Sequence, residues 1–269
     1  MRIRATNTVT APILQLKDVA QDFLSRGRHI AAVAPTHLDI REGEFVTIVG
    51  PSGCGKSTLL KIIAGLLPPT RGRVLFRGRD SRGVNPAIGY VPQHDYLFPW
   101  RTLRQNVEFA LEIRRLPPVE RRSRAGSLIA QVGLGGFEDH YPHELSGGMR
   151  QRTNIIRTLI YEPEVILMDE PFGPLDAQTR LLLQDQLLGL WERSRKTIVF
   201  ITHDLVEAIA LADRVLVMTA RPGAIRSATI VDLPRPRDVF HIHDHEGFRR
   251  LYDTLWTELE VEVKKVAQG

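Results

Sequence analysis

Cysteine is all but missing: Cys54 is the only one in 269 residues. An intramolecular disulfide is impossible, a cysteine-based zinc site is excluded, and a reducing compartment fits best. Lysine is scarce, 6 residues against 30 arginines. No apolar run approaches the roughly 18 residues that a helix needs to cross a bilayer. The N-terminal MRIRATNTVTAPILQL is basic but lacks the apolar stretch of a signal peptide. Repeats, low-complexity tracts and long linkers are lacking too, so the chain reads as continuously folded.

What is present is an ordinary globular composition, 43% hydrophobic and 25% charged. The length suits two domains or one large α/β unit, and buries enough surface to need no covalent staple. A net charge of +5 points toward phosphate ligands, nucleic acid or an anionic membrane surface. The charges are scattered, however, with no long basic run, which favours a solvated mixed surface over a nucleic-acid interface.

Strand-like runs open the chain at residues 13–19 and 45–49, and the second ends in glycine-rich GPSGCGKST. Helical spacing follows over 56–66 and stops at Pro68-Pro69. Strands are expected at 73–76 and 87–91, then a mainly helical stretch to Tyr161 that holds PHELSGG. After it come strand 165–168, helix 177–195, strand 197–201, helix 205–212 and a further strand. Near-continuous apolar runs suit parallel strands buried on both faces, so the expectation is α/β with a mostly parallel sheet and a helical insertion. The Pro-, Arg- and His-rich segment 232–244 reads as a connector. Beyond it Phe248, Leu251, Leu255, Leu259 and Val263 share one helical face.

Three segments carry chemistry. Gly50-Pro51-Ser52-Gly53-Cys54-Gly55-Lys56-Ser57 fits G-x-x-x-x-G-K-[ST], with Thr58 next. Its glycines let successive backbone N–H groups turn inward around phosphate oxygens. Lys56 then reaches the β/γ-phosphates, the Ser57 hydroxyl suits Mg²⁺, and the next helix aims its positive end at the anion. Residues 165–168 form an apolar strand ending in Asp169-Glu170: the first carboxylate suits Mg²⁺, and the second can orient or deprotonate an attacking water. Ser146-Gly147-Gly148 opens a helix and offers a hydroxyl, bare N–H groups and a positive helix end. Alone it is a helix-starting loop; its order between the other two makes it a second phosphate-binding element. Cys54 has two readings, a thiol activated by Lys56 and the inward N–H groups, or a small packed hydrophobe.

Across residues 13–230 this order resembles the ATP-binding cassette (ABC) superfamily, specifically nucleotide-binding subunits of transporters. The resemblance implies a P-loop NTPase (RecA-like) core, an N-terminal antiparallel β-subdomain and an inserted α-helical subdomain at about 94–161. The ATPase domain would span 1–231, with 232–269 as a C-terminal connector and amphipathic helix. It further implies Gln93 in YVPQ as the Q-loop glutamine, binding metal and sensing the γ-phosphate. Asp176 in GPLD corresponds to the D-loop aspartate, His203 in ITHD to the switch histidine, and Phe23 to an aromatic stacked on adenine.

Three departures stand out: Pro174 in the D-loop, NIIRTLI where Ala-rich ARAL is common, and Phe23 in place of the frequent Tyr. FPWRT at 98–102, ARPG at 220–223 and DLPRPR at 232–237 resemble the branch that imports nitrate, sulfonates and taurine. Trp100 would then line the groove that receives a membrane subunit, unless it merely packs in the core.

The implied function is ATP hydrolysis with Mg²⁺ in a head-to-tail dimer on transmembrane permease subunits, served by a periplasmic solute-binding protein. The location would be peripheral, at the cytoplasmic face of the inner membrane, with no nucleic acid as partner. A lipid or export cassette shares the chemistry. A DNA-repair or translation ATPase would show a coiled-coil insertion or a second cassette, and intact Glu170 and His203 speak against a mere nucleotide sensor.

Overall fold

The computed structural model describes residues 11–25 and 27–268, so the first ten residues of the basic N-terminal stretch lie outside the described residues. The chain runs β1 (Pro12–Ser25), β2 (Arg28–Arg41), β3 (Phe45–Val49), α1 (Lys56–Ile63), β4 (Arg71–Phe76), β5 (Arg79–Asp80) and β6 (Ile88–Val91). Three helices follow, α2 (Leu103–Ile113), α3 (Pro118–Gln131) and α4 (Gly147–Leu159). The second half is β7 (Val165–Asp169), α5 (Ala177–Ser194), β8 (Thr197–Ile201), α6 (Leu205–Leu211), β9 (Arg214–Met218), β10 (Ile225–Ile230) and α7 (Phe248–Gln268).

Two sheets result. The larger has the order β10-β9-β3-β8-β7-β6, parallel from β9 to β6, with β10 antiparallel at its edge. The smaller, β2-β1-β4-β5, is antiparallel. Strands β3, β7 and β8 are buried at every position, whereas the edge strand β10 alternates half-buried and exposed residues. Because side chains alternate across a strand, each central strand feeds two cores. Phe45, Val49, Ile166, Met168, Phe200 and Val217 face α5, α6 and α7. Val46, Ile48, Leu167, Ile201 and Leu216 face α1 and the antiparallel sheet. A third core of Leu103, Val107, Leu111, Ile129 and Ile156 holds α2, α3 and α4 together.

Several elements differ from expectation. β1 continues past 19 to Ser25, and β2 is a strand that hydrophobic patterning did not single out. Register shifts along the β1–β2 pair break the simple alternation that would have marked it. α1 stops at Ile63, short of 66, where Gly65 turns the chain at φ 72°. The segment 232–244 is no loose connector. Leu233, Val239 and Ile242 are buried in the α6–α7 core, and buried Arg237 donates to the carbonyls of Ile209, Ala210 and Ala212 at the end of α6. α7 packs on the same core through Phe248, Leu251, Leu255 and Leu259, but Val263, one turn further along that face, is 42% exposed. Trp100 is 71% exposed, which overturns the core-packing alternative; Phe98 takes the inner position against Phe109, and Thr102 caps α2.

Candidate active site

The carboxyl ends of β3, β6, β7 and β8 meet at one edge of the parallel sheet, where α/β folds place their ligands. From β3 the chain turns through residues 50–55 into α1. Gly55 makes that turn possible: its φ is 110°, and a Cβ there would lie 2.6 Å from the Ala32 carbonyl oxygen. Lys56 is buried, and its ammonium donates to the Gly50 carbonyl at 2.8 Å and the Pro51 carbonyl at 3.0 Å. The positive charge therefore sits inside the loop, with its third donor engaged only in a long 4.0 Å contact to Cys54 Sγ.

Cys54 takes the packing alternative. It is 1% exposed and belongs to the apolar core with Leu59, Leu60 and Met218. Burial pushes its thiol up from the ordinary value, and the nearby Lys56 charge offsets this only in part. The activated-thiol expectation is thereby overturned, because the side chain is buried in the domain core.

Ser57 and Asp169, 112 residues apart, meet: the Ser57 hydroxyl donates to Asp169 Oδ1 at 2.7 Å. The Tyr90 hydroxyl donates to the other oxygen, Oδ2, at 3.1 Å. Sequence reasoning missed Tyr90. Its only signal was the place three residues before Gln93 on β6, which the parallel register sets beside β7. Burial first, and then the Asp169 charge, push the phenol pKa far up, so Tyr90 stays a proton donor to the carboxylate.

Beside this pair, Glu170 Oε2 lies 3.4 Å from Gln93 Nε2 and 3.3 Å from His203 Nδ1. Two residues expected to act with Glu170 thus converge on a single one of its carboxylate oxygens. Glu170 itself is held at φ 45°, a left-handed conformation costing about 1–3 kcal/mol in a non-glycine residue. Its amide, bonded to the Ile201 carbonyl on β8, fixes that conformation. An open pocket of about 450 Å³ runs from Phe23 and Ile30, past Ser52, Lys56 and Thr58, to Gln93 and Glu170.

Ser146, Gly147, Gly148 and Asp176 do not line this pocket. Ser146 caps α4 by accepting the Met149 amide, and Asp176 caps α5 by accepting the Thr179 amide, a bond that holds its carboxyl below the usual range. The two turns adjoin: a Cβ on Gly148 would lie 2.7 Å from Thr179 Cγ2.

The family model described as ABC transporter matches residues 33–173, the span from β2 to the turn after Glu170. The chain belongs to that family. It is 47% identical over 251 residues, 93% of this chain and 94% of the relative, to an uncharacterized ABC transporter ATP-binding protein of Methanocaldococcus jannaschii. It is 48% identical to an aliphatic sulfonates import ATP-binding protein of Bacillus licheniformis, over 75% of this chain and 78% of that one. Identity to a nitrate import ATP-binding protein of Synechocystis is 44%, over 82% and 83%. Among solved structures, a dimeric ATP-binding cassette in a post-hydrolysis state with ADP and Pi matches with TM-score 0.74 and 33% identity, covering 82% of this chain and 100% of that one. The chain is an ATPase with the P-loop fold of those cassettes. Among the described residues, no helix is long and apolar enough to cross a membrane.

Proposed function

We propose that this ABC ATPase powers an importer of a small anion, an aliphatic sulfonate, taurine or nitrate, by acting on permease subunits at the cytoplasmic face of the inner membrane. The observation that carries the catalytic part is the convergence of Gln93 and His203 on Glu170, beside the Ser57–Asp169 pair. The anion class rests on relatives whose names include sulfonate and nitrate import, and on FPWRT, ARPG and DLPRPR. The exposed Trp100 lines a hollow of about 560 Å³ with Arg101, Arg104, Glu108 and Arg121, a fit for a permease segment; a solute-binding protein would act upstream. In this reading residues 1–231 form the ATPase unit, 94–161 its helical part, and 232–269 a C-terminal extension.

Each residue has a task. Phe23 stacks on adenine. The backbone of Gly50, Pro51, Ser52, Gly53, Cys54 and Gly55, with Thr58 at the start of α1, surrounds the phosphates. Lys56 offers its third donor to the β/γ-phosphates. Ser57 and Asp169 supply one hydroxyl and one carboxylate oxygen, a hard-oxygen set that fits Mg²⁺ when phosphate and water oxygens complete the shell, and Gln93 stands beside them. Bound there, Mg²⁺ would neutralise charge on the β- and γ-phosphate oxygens. Glu170 accepts a hydrogen bond from the attacking water and takes its proton as the γ-phosphoryl group transfers, while His203 and Gln93 hold that carboxylate in place. The leaving group is ADP, and no covalent intermediate forms on the protein. Ser146, Gly147, Gly148 and Asp176 face the nucleotide held by a second copy of the chain, arranged head to tail.

Glu170→Gln tests this reading. It preserves size and hydrogen bonding but removes the base, so hydrolysis should fall about 100-fold or more. ATP binding should remain, and a stable dimer should appear by size-exclusion chromatography with Mg-ATP. Near wild-type turnover would overturn the assignment.

A further inference from the structure

The ARPG segment after β9 is given no role in the chemistry above, yet Arg221 lines the same pocket and the segment touches the glycine-rich loop at two consecutive carbonyls. Arg221 donates from Nε at 3.2 Å and from a terminal nitrogen at 2.9 Å to the Gly53 carbonyl. Gly223 lies against the next one: a Cβ there would come within 2.0 Å of the Cys54 carbonyl oxygen, so no other residue fits. The Gly223 amide and carbonyl also pair with Ala32 and Ala34 on β2, the strand that supplies the wall beside Phe23. Thr219 closes the segment on itself through the Ala224 amide and the Pro222 carbonyl.

The other side of the segment is held by α7. Glu262, fully buried, accepts the Ala220 amide at 2.9 Å, and its second oxygen accepts from Arg226 and Lys265. An unbroken set of hydrogen bonds therefore runs from the C-terminal helix, through residues 219–224, to the loop that faces phosphate.

We propose that Arg221 is a positioning residue for ATP binding, and that Glu262 of the C-terminal helix sets it. The physical requirement is specific. An anion-binding loop must direct N–H groups inward and carbonyls outward. Each outward carbonyl needs a partner, or its peptide unit can flip and present oxygen to the phosphate. Gly53, at φ 73° with no side chain, has the least intrinsic resistance to such a flip. Arg221 holds that carbonyl outward and so keeps the peptide unit, whose Cys54 N–H donates to the Pro51 carbonyl at 3.3 Å, in the orientation that shapes the loop. Glu262 in turn fixes the backbone that presents Arg221. Any displacement of α7 thereby changes affinity for nucleotide at a distance from the bound phosphates, giving the extension a route to regulate the ATPase.

This inference rests on residues 50–58 being the ATP site, and the test separates the two. The full chain carrying Lys56→Ala, Arg221→Ala, Arg221→Lys or Glu262→Gln is titrated with ATP by calorimetry, and amide exchange of the peptide spanning residues 50–56 is followed by mass spectrometry. Loss of ATP binding in Lys56→Ala verifies the site; retained binding there would overturn the site itself. Because Arg221 is exposed and its side-chain hydrogen bonds go only to the Gly53 carbonyl, its variants should unfold at the wild-type temperature. Arg221→Ala should weaken ATP binding about tenfold, the scale of one charge-assisted hydrogen bond, and speed exchange in 50–56 with core peptides unchanged. Arg221→Lys should recover part of the affinity, since one donor still reaches the carbonyl. Glu262→Gln should weaken binding about threefold, and combined with Arg221→Ala should add nothing further. Wild-type affinity and wild-type loop exchange in Arg221→Ala would overturn the role of Arg221. Full additivity of the two changes would overturn the link to α7.

Discussion

At the residue scale, the side chains that carry the site are held by partners far away in the chain. Glu207 on α6, outside the site itself, is held in the same way. It is buried, and its carboxylate accepts Gln184 Nε2 of α5 at 2.7 Å, which joins the helix after Asp176 to the helix after His203. Burial, reinforced by the Asp204 charge, pushes its pKa up to about 7 from 4.5. Between these values the folded chain holds a proton that the unfolded chain has released. The neutral form therefore stabilises the fold fully below pH 4.5, and this contribution is lost as pH rises through about 7. Glu207→Gln removes the titration. Chemical denaturation of wild type and variant across pH 4–8 should show wild type losing up to about 3 kcal/mol relative to the variant on going from pH 4.5 to above pH 7. Parallel profiles would refute the assignment.

At the element scale, the C-terminal helix belongs to the main core and is not an appendage. Leu255 is fully buried among α6 and α7 residues, whereas Val263, one turn past the last buried leucine, is 42% exposed. Leu255→Ala should cost about 2–5 kcal/mol and lower the unfolding temperature by several degrees; Val263→Ala should cost less than about 1 kcal/mol. Equal shifts in a thermal scan would contradict the packing seen for α7. The segment before α7 works by a different device. Arg237 brings its charge to carbonyls at the C-terminal end of α6, where a cation suits the helix dipole. Burial and the neighbouring Arg235 hold its pKa down to about 10, which leaves it charged at neutral pH. A Pro- and Arg-rich composition suggested a linker, yet only the position of the α6 terminus reveals what the arginines are for.

At the scale of the whole molecule, the two elements proposed to bind phosphate do not share a pocket. Gly50 to Thr58 surround one, while Ser146 caps its own helix outside it. On the proposed head-to-tail arrangement, a complete site needs a second chain. Specific ATPase activity should rise with protein concentration, and mixing Lys56→Ala chains with Ser146→Arg chains should restore activity that neither has alone. In the mixed pair one nucleotide meets an intact Lys56 from one chain and an intact Ser146 from the other. Activity that is flat across a wide dilution series, with no recovery on mixing, would point to a self-contained site.

The order of motifs in the chain determined the nucleotide loop, the Asp169-Glu170 pair and the parallel strands, because each is a local device. A glycine pattern creates the loop's backbone shape, and a five-residue, β-branched-rich apolar run bounded by turn signals suits a strand buried on both faces. The C-terminal helix was legible for the same reason, since its apolar residues recur with the helical period. Other features arise only when distant segments meet. Tyr90 on Asp169, Gln184 on Glu207, Arg221 on Gly53 and the inward turn of Cys54 depend on strand register and on which face of a helix meets the core. No spacing along the chain encodes those contacts, because the hydrogen bonds that define them close over tens to more than a hundred residues, and the sheet order alone brings their ends together.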